Sequence, residues 1–216
     1  MATIDDLAPE VRVDVPECSG RQISNAIINT IRHFCWQTHC WQEPMEPITL
    51  LPFNDNAPST YIYDIPVPDD TELITVKELV YEGKPLRQHS PAWFDEQIPG
   101  WRTNTGDPNY FMQLSNRTVR FVPGSDDVRP IAITGTLILR PTKSSRQFSE
   151  DLMQWDHALI SGAQARLLFM NKKAWNNPRK AAACEMVYNE AVSQCKMDVL
   201  REFSNDPETV VQRSWL

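Results

Sequence analysis

Apolar residues recur at helical spacing in three stretches, all outside the middle of the chain. After Pro16, the residues Ile23, Ala26, Ile27, Ile31, Phe34 and Cys35 follow a 3.6-residue period, with Arg21, Asn25, Asn29 and Arg32 between them. Ser19 followed three residues later by Gln22 fits a capping box, in which each side chain satisfies an orphan backbone N–H, and Pro44 is the expected stop. A second helix is expected from near Ser149, where Glu150 and Asp151 suit the positive end of a helix dipole. Its stripe is Leu152, Trp155, Leu159, Ala163, Leu167 and Met170. The third has Asn177 as N-cap and Pro178 in its first turn, and runs to about Phe203. Cys184, Tyr188, Ala191, Cys195 and Val199 or Leu200 share one of its faces.

In the middle the period drops to two. Thr60 to Ile65, Glu72 to Tyr81, Tyr110 to Leu114, Arg117 to Val122 and Ile131 to Arg140 read as strands. Glu82-Gly83-Lys84, Ser115-Asn116 and Pro123-Gly124-Ser125-Asp126 supply turn chemistry between them, and Ser90-Pro91-Ala92-Trp93 can cap a short helical turn. Thirteen of the 17 prolines lie between Pro44 and Pro141, which sets this segment apart from its flanks. The expected fold class is therefore α+β, with helices and strands in separate runs. We expect a helical bundle of one N-terminal and two C-terminal long helices (residues 1–43 and 142–205). An antiparallel β sandwich or barrel is inserted at residues 44–141, and a tail follows at 206–216.

Composition narrows the class. With 41% hydrophobic and 23% charged residues in 216, the chain reads as an ordinary globular protein. No apolar run approaches the roughly 18 residues that cross a bilayer, so no membrane partner is expected. Met1 to Glu10 carries Asp5, Asp6 and Glu10 and no basic residue, unlike a signal peptide, and places synthesis in a cytoplasm. The five cysteines (Cys18, Cys35, Cys40, Cys184 and Cys195) form no C-x-x-C pair and read as reduced thiols. The net charge is −7, with 10 cationic against 19 acidic residues in positions 1–139. Such a body opposes tight binding to a phosphate backbone but is compatible with DNA sliding past.

The middle segment then carries a specific likeness. Trp93-Phe94-Asp95, Pro99-Gly100-Trp101-Arg102, Thr105-Gly106-Asp107-Pro108-Asn109-Tyr110 and Val119-Arg120-Phe121-Val122-Pro123 stand in this order. Ala158 to Leu168 is rich in small residues, and Lys173-Ala174-Trp175-Asn176-Asn177-Pro178 precedes the last helix. Together with Leu7-Ala8-Pro9-Glu10-Val11, these stretches resemble the head-to-tail connector (adaptor) family of tailed bacteriophages related to tail tubular protein A. The resemblance implies a structural virion protein at the portal–tail junction, assembled in the host cytoplasm. It implies a ring of twelve identical subunits that docks under the portal protein and meets a tail tube, nozzle or neck protein. Genomic DNA would pass through the lumen without specific binding.

Several residues become candidates on that reading. The tail residues Val210, Val211, Arg213, Trp215 and Leu216 follow the Pro207 break and need cover, from the portal, an adjacent subunit or the chain's own bundle. Trp175 and Trp101 are candidates for interface contacts, since tryptophan is enriched at hot spots, whereas Trp36, Trp41 and Trp155 fit a core. Gly162-Ala163 and Ala181-Ala182-Ala183 allow close helix approach, within one chain or between subunits. Asp64, Asp69, Asp70 and Glu72, with Glu78 nearby, are either a solvated face or the acidic lining of a channel.

Enzyme chemistry is not expected. No G-x-S-x-G, P-loop, G-x-G-x-x-G or H-E-x-x-H occurs, and Asp69-Asp70, Asp126-Asp127 and Glu150-Asp151 suit turns and caps. His33, Cys35, His39 and Cys40 are the one cluster with ligand spacing, but His33 and Cys35 point to faces about 200° apart on an ideal helix. No cofactor is expected. Two alternatives remain: a neck stopper or tail-completion protein, and a carbohydrate-binding module gripping sugar through Trp93 and Trp101.

Overall fold

The computed structural model describes residues 1–50, 62–124 and 131–201. A short strand β1 (Ala2–Thr3) leads into α1 (Ile4–Asp14), which sequence periodicity had not singled out. Its first turn is fixed by the Asp6 carboxylate, which accepts from the Thr3 backbone N–H at 2.7 Å and the Thr3 hydroxyl at 2.8 Å. Helix α2 (Gly20–Thr38) follows, with Ser19 and Gln22 forming the expected capping box and the whole expected stripe buried. It stops well before Pro44, because His39 turns left-handed (φ 57°) and its N–H caps the Cys35 carbonyl.

Pro44 instead lies inside strand β2 (Gln42–Leu50). The strands that follow are β3 (Ile62–Asp64), β4 (Thr71–Tyr81), β5 (Lys84–Pro85) and β6 (Arg87–Gln88). Next come helix α3 (Pro91–Gln97), capped by the Ser90 hydroxyl on the Trp93 N–H, and β7 (Tyr110–Gln113) and β8 (Thr118–Val122). Then β9 (Ile131–Pro141) and β10 (Gln147–Phe148) precede a 3-10 segment, Glu150–Trp155. Helix α4 (Asp156–Leu168) and helix α5 (Pro178–Leu200) complete the described chain. The fold is thus α+β, and the second expected helix is a 3-10 turn joined to α4 rather than one continuous α-helix from Ser149.

Among the described residues there are three sheets, none closed into a barrel. The pair β1–β10 joins the first residues to the segment before α4. One four-stranded sheet has the order β2-β9-β4-β5 and is antiparallel throughout. Prolines 44 and 47 are tolerated because β2 is the edge strand there, where an N–H is missed least. The β4–β5 hairpin turns through Glu82 (φ 47°) and Gly83 (φ 78°), the two positive φ angles a tight hairpin requires. Gly135 of β9 is fixed by space, since a Cβ there would lie 2.3 Å from the Glu78 carbonyl oxygen on β4.

The second four-stranded sheet has the order β3-β8-β7-β6, with β6 parallel to β7. Side chains alternate between its faces. Phe111, Val119 and Phe121 enter the main core, which they share with Ile27, Phe34 and Leu159 of the helices and Leu79 and Leu137 of the other sheet. Met112 and Val122 face the opposite way and form a second, smaller core with Phe94 and Trp101. This sheet is therefore covered on both sides.

Candidate interaction surfaces

Two ion-pair clasps order the polar candidates. The first is built on Glu72, at the start of β4. Its carboxylate accepts from Arg32 of α2 at 2.9 Å and from Arg140 of β9 at 3.0 Å. Arg32 is itself buried and also donates to the Pro141 carbonyl at 2.5 Å. The hydrogen bond from Arg32 holds the Glu72 carboxyl below the usual glutamate range, against the opposing effect of burial, and Arg140 adds to it. Glu72 is therefore a bridge between helix and sheet, not the free negative charge that a channel lining needs. Asp64, Asp69 and Asp70, by contrast, are exposed, and none has an ion-pair partner among the described residues. The acidic cluster is thus split: three exposed carboxylates and one neutralised by two arginines.

The second clasp holds Trp101. Its indole N–H donates to the Asp95 carboxylate at 2.9 Å, and Arg102 reaches the same carboxylate at 2.6 and 3.2 Å. The guanidinium carbons of Arg102 and Arg120 lie 4.4 and 4.8 Å from the ring centroid, in cation–π range. The Arg102 hydrogen bond, then that of Trp101, holds the Asp95 carboxyl below its ordinary value. With only 5% of its surface exposed, Trp101 is spent inside its own chain. Trp93 is half-buried and stacks on His89 at a centroid distance of 3.7 Å. One of its faces is already covered and Trp101 is buried, so the two rings do not form an open platform for a sugar.

A different picture holds on the helices. Gly162 of α4 lets this helix pass close to its neighbours: a Cβ there would sit 2.6 Å from the Tyr188 ring of α5 and 2.7 Å from the Thr30 methyl of α2. Beside it opens a cleft of about 290 Å³ lined by His33, Arg166, Phe169, Glu185, Tyr188 and Asn189. His33 Nδ1 lies 2.9 Å from the Tyr188 hydroxyl. Burial, with Arg166 and Lys196 adding to it, pushes the His33 pKa down, and burial pushes the Tyr188 phenol up. Trp36, 56% exposed, has its ring 6.3 Å from that of His33, and Phe169, which lines the cleft, is 45% exposed. Along α5, Met186 and Leu200 are 73% and 78% exposed, with Val187 and Met197 also open. Trp36, which from sequence fitted a core, is instead more exposed than Phe169.

Trp175 is half-buried and ties the α4–α5 connection down, donating from its indole to the Leu167 carbonyl at 3.1 Å. The tail candidates Val210, Val211, Arg213, Trp215 and Leu216 lie outside the described residues, as do Ser125 and Asp126 of the Pro123–Asp126 turn. The spaced cysteines and histidines do not converge. His33 pairs with Tyr188, whereas Cys35, Cys40 and Cys195 meet as neighbouring free thiols. Contact with Cys195 pulls the Cys40 pKa down, but Cys35 and burial outweigh it and push it up to about 12, so this thiol stays protonated. Among the described residues no group of three or more His, Cys, Asp or Glu is placed to hold a metal ion, and no helix is long and apolar enough to cross a membrane.

Compared with models of known protein families and with curated protein sequences, the chain matches none.

Proposed function

We propose that the chain is a structural protein of a tailed-phage virion, the adaptor that joins the portal vertex to the tail as a ring of twelve subunits. The observation that carries this reading is the apolar surface left open on the helices by Trp36, Phe169, Met186, Val187 and Leu200. Large side chains in that density stabilise an assembly by leaving water when another chain covers them. The ordered motifs from Trp93 to Pro123 and from Ala158 to Pro178 point to which assembly it is. In this reading the helices act as one bundle that carries the subunit contacts, and the two four-stranded sheets form the inserted module. The exposed Asp64, Asp69 and Asp70 line the route of the DNA and keep it from sticking. The partners are sibling subunits, the portal protein and a tail tube, nozzle or neck protein.

The test is the mass of the purified full chain, alone and mixed with portal, by mass photometry. A ring of twelve 24.8 kDa subunits weighs about 300 kDa. Trp36→Ser combined with Met186→Ser should abolish that species while the isolated chain melts as before. A chain that stays monomeric both alone and with portal overturns the proposal. A chain that binds tail tube but never portal replaces it with a neck stopper.

A further inference from the structure

The start of α2 and the loop after β9 enclose a cleft whose charge is opposite to that of the chain as a whole. Its volume is about 490 Å³, and Arg21, Lys143 and Arg146 line it with no acidic residue among them, in a chain where acids outnumber bases 28 to 21. Arg21, Ser24, Asn25 and Ile28 lie on one face of α2 at helical spacing and form one wall. Lys143 to Arg146 forms the other, with the buried Ile4 and Ile28 contributing an apolar patch. The loop is held in place: the Ile4 N–H donates to the Arg146 carbonyl at 3.0 Å, and the Ser145 hydroxyl to the Gln147 carbonyl at 2.7 Å. Among the described residues the charged ends of Arg21, Lys143 and Arg146, the Ser24 hydroxyl and the Asn25 amide have no hydrogen-bond or ion-pair partner.

We propose that this cleft binds a compact, multiply charged phosphate ligand, an inorganic polyphosphate or the phosphate chain of a nucleotide. Three cations without a counter-charge favour an anion carrying several charges over a single carboxylate. The two arginines offer planar forks that match phosphate oxygens in pairs, and Ser24 and Asn25 donate to the oxygens left over. The N-terminal end of the 19-residue α2 adds positive potential on the same side. The room exceeds that of a lone phosphate, and the two isoleucines can receive an organic body. A long nucleic acid is disfavoured, because its flanking phosphates would meet the acidic remainder of the molecule.

Isothermal titration of the full chain with sodium tripolyphosphate, with ATP and with a short DNA duplex, followed by melting in each, tests the site. Tripolyphosphate or ATP should bind and raise the melting temperature. Arg21→Gln with Arg146→Gln, and separately Lys143→Gln, should weaken binding by about tenfold or more, the size expected when a charge-assisted contact is lost. Lys84→Gln, on the distant β4–β5 turn, should leave it unchanged. Tighter binding of ATP than of tripolyphosphate identifies a nucleotide as the source of the phosphates, and the reverse order identifies inorganic polyphosphate. No heat and no melting shift from either, binding that survives all three glutamine substitutions, or a duplex that binds tighter than both small ligands overturns the proposal.

Discussion

The main core and the small aromatic core around Trp101 both exclude water, but they are built by opposite routes. The main core collects aliphatic and aromatic side chains from both four-stranded sheets and from α1, α2, α4 and α5, each arriving at the period of its own element. The small one gathers Phe94, Trp101, Met112 and Val122, with Trp93, Ile98 and Tyr110 at its margin, all from the segment between Trp93 and Val122. Its rings meet at centroid distances of 5.2 to 5.8 Å, and an exposed polar clasp at Asp95 fastens it. Periodicity builds the first; local aromatic density and one carboxylate build the second. Stability should therefore be global in one region and local in the other.

A matched pair of truncations tests that contrast most strongly. Phe34→Ala in the main core should cost about 4 kcal/mol and shift the urea midpoint of the whole chain. Phe94→Ala removes the same side chain from the small core, yet its effect on hydrogen exchange should concentrate in α3, β7 and β8, while α2 and β9 keep their protection. Identical exchange patterns for the two would mean a single cooperative unit. The next effect in size concerns the Glu72 clasp, which ties the helices to the sheet. Glu72→Gln should cost about 2 kcal/mol near neutral pH, less than for a fully buried pair, because the Glu72 side chain is 36% exposed and partly screened. Its carboxyl is held below the usual glutamate range in the folded state, so this contribution is complete above that range and is lost as pH falls through the lowered value. Urea melts of the two proteins should accordingly converge in acid. The smallest effect is expected from Asp95→Asn. The carboxylate is exposed, so the midpoint should hardly move, but the Trp101 emission should shift to the blue as the pyrrole end of its indole loses a charged acceptor. An unchanged spectrum would mean that ring packing alone positions Trp101.

Where local chemistry decided an element, the sequence was readable. The Ser19–Gln22 cap, the Asn177 and Pro178 start of α5, the Glu82-Gly83 turn and the alternation along β4, β8 and β9 all lie where the residue pattern put them. Edge placement hid β2, since two prolines argue against a strand until its neighbours are known. Helix α1 was obscured in a similar way, with Pro9 inside an otherwise regular Ile4, Leu7 and Val11 stripe. The surfaces were harder still. Glu72 looked like a member of an acidic run because Arg32 and Arg140, 40 and 68 residues away, are invisible to local reading. Of the tryptophans weighed as core or interface, Trp36 is open and Trp101 buried, since sequence alone does not tell what packs on a side chain. The basic cleft joins α2 to a loop more than a hundred residues later, and only folding brings them together.

The missing side chain at position 162 sets a gauge between three helices. Any atom added there must push α5 outward near Tyr188, and α5 continues about 18 Å from that point to Leu200 at 1.5 Å per residue. A tilt of about 5° at such a fulcrum carries the far end about 1.5 Å sideways over that length. The position of Leu200 at the far end of α5 is thus governed by the smallest residue in α4.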